Sequence, residues 1–213
     1  PTINSFFNMS NLFVISAPSG TGKTSLIRSL LKDNSSTGLT LGISYTTRKM
    51  RKNEVDKESY FFTSKEDFGD MIKKNQLLEH AEVFGNLYGT PKKWVYEQLE
   101  KGRNIILELD WQGANQVKKA YEEAITVFII PPSYKSLKER LDKRDQDSED
   151  EIRNRLAQAK KEIREGSTFD QLILNDDFNC ALADMQAFIT EGSSIDSKRI
   201  ELISNCLEQL LEE

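Results

Sequence analysis

Cysteine is scarce in this chain. There are two in 213 residues, Cys180 and Cys206, far apart and outside any Cys-x-x-Cys pattern. That excludes a disulfide framework and a zinc site of the usual kind, and it fits a reducing cytoplasm. Long hydrophobic runs are also missing. The longest, Ile125 to Ile130, falls far short of the ~20 apolar residues that a membrane span needs, so no membrane association is expected. Residues 1–8 lack both a basic region and a long apolar stretch, and they do not read as a signal peptide. Met9 is an alternative start, which would leave residues 1–8 as an extension. Nor is there an excess of positive charge: 29 Lys and Arg face 34 Asp and Glu, for a net charge of −5. Such a chain is a poor candidate for sequence-independent nucleic-acid binding, which rests on neutralising phosphates. A small anion needs only a local cluster of Lys, Arg and backbone N–H groups, and that remains open. Internal repeats and long Pro/Gly/Ser linkers are absent as well.

What is present describes a packed protein. Hydrophobic residues make up 38% and charged residues 30%, spread along the length, which excludes general disorder. At about 150 residues per domain, the length suggests one to two domains. Leu12 to Ser16 reads as a buried strand, Ala17 to Gly22 as a loop of small residues, and Lys23 to Lys32 as a helix with Leu26, Ile27, Leu30 and Leu31 at helical spacing. The middle region is polar and basic from Gly42 to Tyr60, with Tyr60-Phe61-Phe62 as a strand. Ser64 and Asp67 make a capping box. Thr90-Pro91 reads as an N-cap followed by Pro at the first helical position, opening a helix that ends near Gly102. Asn104 to Asp110, Ile125 to Ile130 and Leu172 to Leu174 are further buried strands. Apolar strands alternating with helices predict an α/β fold with a parallel sheet covered on both faces. Residues 44–94 then form a second compact region inserted into that core. Residues 135–165 carry dense charge of both signs, with a capping box at Ser148 to Glu151. Taken alone they read as a solvated helix pair.

Residues 17–24, Ala-Pro-Ser-Gly-Thr-Gly-Lys-Thr, match G-x-x-x-x-G-K-[ST] except that Ala17 replaces the first Gly. Small residues let backbone N–H groups curl around phosphate oxygens, and the helix that follows adds its N-terminal dipole. Lys23 would reach the β- and γ-phosphates and Thr24 would ligate Mg²⁺. The position between a buried strand and a helix is the context such a phosphate loop requires. A Cβ at residue 17 requires a backbone conformation that tolerates it. Asp110, at the end of an apolar strand, is the candidate second magnesium ligand.

Several further blocks occur in a specific order: Ser-Tyr-Thr-Thr-Arg-Lys-Met-Arg (44–51), Glu-Ser-Tyr-Phe-Phe (58–62), Leu-Glu-His-Ala-Glu-Val-Phe-Gly-Asn-Leu-Tyr-Gly-Thr (78–90), Glu-Leu-Asp-Trp-Gln-Gly (108–113) and Asn-Asp-Asp (175–177). With the phosphate loop, they make nearly the whole chain resemble the guanylate kinases, most closely the bacterial ones. The resemblance implies a P-loop core (residues 1–43, 95–133 and 159–213), an inserted GMP-binding domain (44–94) and a helical lid (134–158). It implies ATP contacts along Ala17, Pro18, Ser19, Gly20, Thr21, Gly22, Lys23, Thr24 and Ser25. Glu79 would accept hydrogen bonds from guanine N1–H and N2–H₂, with Ser44 and Thr90 at hydroxyl-bearing positions for O6. Arg48, Arg51, Tyr60 and Tyr88 would clamp the GMP phosphate, Glu108 would also face GMP, and Arg140, Arg144 and Arg155 would be the lid arginines. Arg153 is a weaker match. The attacking group is a GMP phosphate oxygen, already ionised, so no general base is needed and the single histidine, His80, is read as a neighbour of Glu79.

Three positions depart from the family pattern: Glu108 where Asp is usual, Asp145 where Gly is common, and Met50 where Pro is usual. None removes a residue assigned to chemistry. The implied reaction transfers the γ-phosphoryl of ATP to GMP with Mg²⁺. The rival from another class is a non-catalytic module that binds phosphorylated peptides through the GMP site. A kinase for another small substrate is a closer rival, which Glu79 with Ser44 and Thr90 argues against. Ile203, Leu207, Leu210 and Leu211 share one helical face, available for the core or for a second copy in a homo-oligomer.

Overall fold

The computed structural model describes residues 10–33, 38–52, 54–83, 85–143 and 149–213. Five strands make a parallel sheet: β1 (Leu12–Ser16), β2 (Thr40–Leu41), β7 (Ile105–Glu108), β8 (Ile125–Ile130) and β9 (Gln171–Leu174). Their spatial order is β2-β7-β1-β8-β9, with every neighbouring pair parallel. All five residues of β1 are buried, as a central strand with helices on both faces requires.

Alternate residues of each strand feed two cores. Leu12, Val14, Ile105, Leu107, Phe128 and Ile130 point to one face. There they meet α3 (Lys92–Glu100), α4 (Trp111–Ala120), α6 (Glu149–Gly166) and α8 (Ser197–Glu212) through Val95, Val117, Ile163 and Ile203. Phe13, Ile15, Ile106, Val127, Ile129 and Ile173 point to the other face. They pack on Leu26, Ile27 and Leu30 of α1 (Lys23–Asp33), on Ala181 and Met185 of α7 (Phe178–Met185), and on Ile189 in the π-helical turn that continues it. The period of two in the strands and 3.6 in the helices is what sorts the side chains. On α8, Ile203, Cys206 and Leu210 are buried against the first core, so that face is spent on the fold, and Leu211 is exposed.

A second sheet, of order β4-β3-β6-β5, comprises β3 (Tyr45–Thr46), β4 (Phe61–Phe62), β5 (Leu77–Val83) and β6 (Asn86–Pro91). The helix α2 (Lys65–Lys73) lies between β4 and β5 in sequence, and its Ser64 cap accepts from the Asp67 N–H. The second arm of that box differs from the expected one, because the Ser64 hydroxyl donates to the Asp67 carboxylate. Thr90-Pro91 also requires correction. Pro91 is the N-cap residue and α3 begins at Lys92. Thr90 belongs to β6, and its hydroxyl is turned to a buried acid instead of capping a helix. The register of β5 against β6 shifts between Leu77 and His80, a bulge that falls at Leu78 and Glu79.

The charged segment 135–165 is a helix pair, α5 (Tyr134–Asp142) and α6, closed by its own cluster of Leu137, Leu141, Ile152 and Ala159. Ser148, Arg144 and Asp145 lie outside the described residues. Among the described residues, no helix is long and apolar enough to cross a membrane.

Gly166 closes α6 directly over the Phe128 ring, where an added Cβ would collide with the ring carbons. Phe128 is fully buried and stacks edge-on against Phe169. Gly166→Ala is therefore expected to cost about 1–3 kcal/mol through overpacking. Urea unfolding with an unchanged m-value would measure it, and wild-type stability would contradict the packing argument.

Candidate active site

The site begins where β1 delivers its chain into α1. Gly20 and Gly22 have φ of +92° and +99°, a left-handed backbone that a side chain would strain. Ala17 is not among the residues with positive φ, so the replacement of the first motif glycine brings no left-handed backbone strain here. The loop is closed internally by Thr21 N–H donating to the Pro18 carbonyl at 3.2 Å. It is held externally through the Thr21 carbonyl. That oxygen accepts from Asn175 Nδ2 at 2.6 Å and from Arg140 Nη1 at 3.2 Å. Arg140 Nη2 also donates to the Asn175 carbonyl. Arg155 Nη1 donates to Ser19 Oγ at 2.9 Å. The structure thus brings Arg140 and Arg155 from the helix pair onto the loop. Arg144 is outside the described residues, and Arg153 pairs with Asp150 at an exposed place on α6.

Lys23 Nζ donates to the Leu109 carbonyl at 2.8 Å. Burial lowers the pKa of this ammonium, and the carboxylates of Glu108, Asp110 and Glu162 oppose that effect. Thr24 Oγ1 donates to Glu108 Oε1, which sets a hydroxyl beside a carboxylate at the mouth of the loop. The expectation that Asp110 ends a strand requires correction. β7 stops at Glu108, and Asp110 is the N-cap of α4, its Oδ1 accepting from the Gly113 N–H at 2.7 Å. The other oxygen remains for a ligand. Mg²⁺ takes one or two carboxylates and keeps waters and substrate phosphates for its other positions. Thr24 and Asp110 fit that requirement, and a dedicated cage of three or more His, Cys, Asp or Glu is absent among the described residues.

The second sheet carries the other half. Glu79, on β5, is 4% exposed and accepts from the Thr90 hydroxyl at 2.7 Å. Burial pushes its pKa from 4.5 up to about 7, aided by Asp110 and opposed by the Thr90 hydrogen bond. Ser44, half-buried just before β3, anchors β4 by accepting the Phe61 N–H on its carbonyl.

Arg48 lies over the Tyr60 ring at 5.4 Å, and Tyr60 in turn meets the Tyr88 ring at 6.0 Å. The guanidinium is gripped in a bidentate way by Glu54, at 2.7 Å and 3.1 Å. Glu54 also accepts the Arg51 N–H at 2.8 Å, so one carboxylate organises both arginines. The Glu54 hydrogen bonds raise the Arg48 pKa, and Arg48 lowers that of Glu54. The Arg51 residue itself is exposed.

Three residues here carry little or no mark in the sequence. Glu54 has a signal only as an acid amid a basic stretch. Asn175 stands inside a motif with no stated role. Glu162 is one of many acids on a charged helix, yet it is 9% exposed, bonded to Gln158, and turned toward Lys23 and Asp110.

Comparison with known proteins agrees with this geometry. The family model described as Guanylate kinase matches residues 9–192. A curated guanylate kinase of Vibrio parahaemolyticus is 44% identical over 202 residues, covering 95% of this chain and 98% of that protein. One from Shewanella frigidimarina is 50% identical over 179 residues, covering 84% and 86%. Among solved structures, the guanylate kinase from Anaplasma phagocytophilum aligns with a TM-score of 0.66 at 30% identity, covering 96% of this chain and 95% of that one.

The raised Glu79 pKa fixes the sign of a stability effect. Between its ordinary 4.5 and about 7, the folded state holds a proton that the unfolded state releases, so rising pH destabilises the fold. Relative to Glu79→Gln, the wild-type protein should lose on the order of 3 kcal/mol as pH rises across that window. Urea unfolding at about pH 5 and about pH 8 reads the difference. A pH-independent gap between the two proteins would refute the assignment.

Proposed function

The chain belongs to the guanylate kinase family and is an ATP:GMP phosphotransferase, and on that premise we propose how its residues divide the work. The γ-phosphoryl of ATP passes to GMP, giving ADP and GDP. Glu79 reads guanine: ionised, it accepts from N1–H and N2–H₂ at once, while Ser44 donates to O6 and Thr90 does so when its one hydroxyl proton turns from Glu79 to the base. Adenine presents an acceptor at N1 and no 2-amino group, so it would leave a buried carboxylate unpaired, at a cost that can reach about 10⁴-fold in discrimination. The observation that carries this reading is the buried Glu79 carboxylate, desolvated and already bonded to Thr90. Glu108 flanks the same space.

Arg48, Arg51, Tyr60 and Tyr88 form the seat of the GMP phosphate. Glu54 holds the Nη1/Nη2 end of Arg48, which orients the guanidinium and leaves its remaining N–H donors for the phosphate. Residues 17–25 hold the ATP phosphates on backbone N–H groups and the α1 dipole, with Lys23 directed at the β- and γ-phosphates. Magnesium carried with ATP, held at Thr24 and Asp110, would neutralise part of the phosphate charge. Arg140, Arg144 and Arg155 supply positive charge from the lid, residues 134–158, and the insertion at 44–94 carries GMP. The attacking phosphate oxygen needs no base, so catalysis is alignment of two anions and neutralisation of the transferring group. Closure of insertion and lid over the core keeps water from the γ-phosphoryl.

The named relatives match over nearly the whole chain, and that supports the kinase over a phosphopeptide-binding module. We place the reaction in the cytoplasm, where the exposed, unpaired Cys180 thiol is compatible with the surroundings.

Coupled ADP-release assays with ATP and Mg²⁺, offering GMP, AMP, CMP and UMP separately, test the reading. Turnover is expected with GMP alone. Lys23→Ala should lower turnover by about 10²–10³-fold or more, since it removes charge aimed at the transition state, and circular dichroism should show the fold intact. A folded wild-type protein that binds GMP but turns over none of the four would favour the binding module instead.

A further inference from the structure

The position of Glu79 has two supports that lie in the other sheet's layer, on α4. The first is Gly113. Its φ is not among the positive values, so no backbone demand explains a glycine in the first turn of this helix. Alanine is the better helix former by propensity. The absent side chain therefore has a packing reason, and the surroundings name it. A Cβ at Gly113 would lie 3.2 Å from Glu79 Oε2, 3.3 Å from Leu109 Cβ and 3.4 Å from Asp110 Oδ1. The helix backbone approaches the carboxylate as closely as it can without a side chain.

The second is Gln116, three residues on and so on the same face. β5 is an edge strand, and at His80 its peptide groups face outward. Gln116 Oε1 accepts the His80 N–H at 3.2 Å, and Gln116 Nε2 donates to the His80 carbonyl at 3.2 Å. The side-chain amide takes the place of a neighbouring strand for one residue. That residue directly follows Glu79, at the end of the bulge between Leu77 and His80.

We infer that Gly113 and Gln116 are positioning residues for guanine recognition: α4 gauges the Glu79 carboxylate at Gly113 and fixes its backbone at His80 through Gln116. The inference rests on the reading of Glu79 as the guanine-binding acid. A carboxylate must lie in the plane of N1–H and N2–H₂ to accept from both, and a displacement of tenths of an ångström spoils one bond before the other. The substrate feature most sensitive to this placement is the 2-amino group. Inosine monophosphate retains N1–H and O6 and lacks that group, so it serves as the probe.

The test uses the full chain and the variants Gly113→Ala, Gln116→Ala and Glu79→Gln. kcat and KM are measured for GMP and for inosine monophosphate at saturating MgATP, and KM for ATP at saturating GMP, with melting temperatures alongside. For each α4 variant the GMP KM should rise roughly 10-fold while the ATP KM stays within about twofold. The ratio of kcat/KM for GMP to that for inosine monophosphate should fall. Gly113→Ala should melt close to wild type, because the better helix propensity of alanine offsets the close contacts of its Cβ. An unchanged GMP preference in both α4 variants, or an ATP KM that rises in step with the GMP KM, overturns the inference. Glu79→Gln separates the two levels. If it lowers the GMP preference and the α4 variants do not, only the role of α4 fails. If it leaves the preference unchanged, the reading of Glu79 fails and takes this inference with it.

Discussion

One carbonyl oxygen, that of Thr21, ties the phosphate loop to the rest of the molecule. The loop needs two left-handed glycines in succession with one residue between them, a conformation with little intrinsic preference. Asn175 and Arg140 converge on the peptide between those glycines and hold it. Asn175 follows β9 and Arg140 sits on α5, so the far edge of the sheet and the charged helix pair are both referred to the same point. The same geometry crowds Gly22 as well, since a Cβ there would lie 2.7 Å from Asn175 Nδ2 and would push that amide off the Thr21 carbonyl. Backbone shape, sheet order and the placement of Arg140 are thus one constraint.

Charge is arranged against the overall balance. The chain is net negative and yet must gather two polyanionic substrates. It does so by keeping its cations in structured places: Lys23 parked on a carbonyl among three carboxylates, and Arg48 stacked on an aromatic ring and gripped by Glu54. Each acid beside a cation steadies it without a substrate present and leaves hydrogen-bonding capacity for one. Glu79 is the exception, an acid desolvated with a hydroxyl for company, and its unusual proton affinity follows from that isolation.

The parallel core is legible in the sequence because its strands are continuous apolar runs. Ile125 to Ile130 can be read to the residue, and Leu12 to Ser16 likewise. The phosphate loop is legible because its chemistry demands particular residues at fixed spacing. The second sheet is far less so. β3 and β4 are two residues each, too short for any period to show, and β5 changes register in its middle. Thr90 illustrates the limit: Thr-Pro is a sound signal for a helix start, and a long-range partner, Glu79, claims the hydroxyl instead. Asp110 shows the same competition, since it caps α4 as well as facing the site. Asn175 and Gln116 bond to residues far away in the chain, and no neighbouring residue hints at those partners. Glu54 meets Arg48 only six residues away, but several other cations stand equally near it in sequence.

The exposed flank of β5 has a bearing on how the molecule behaves in crowded solution. β2 and β4 end their sheets after two residues and β9 after four, too little for another chain to zip onto. At seven residues, β5 is the long rim that could recruit a foreign strand. Gln116 occupies the peptide groups of His80 near its centre, so an incoming strand would find the hydrogen-bonding row interrupted. A contact made within the molecule thereby doubles as a guard against self-association, and the long rim stays open without becoming sticky.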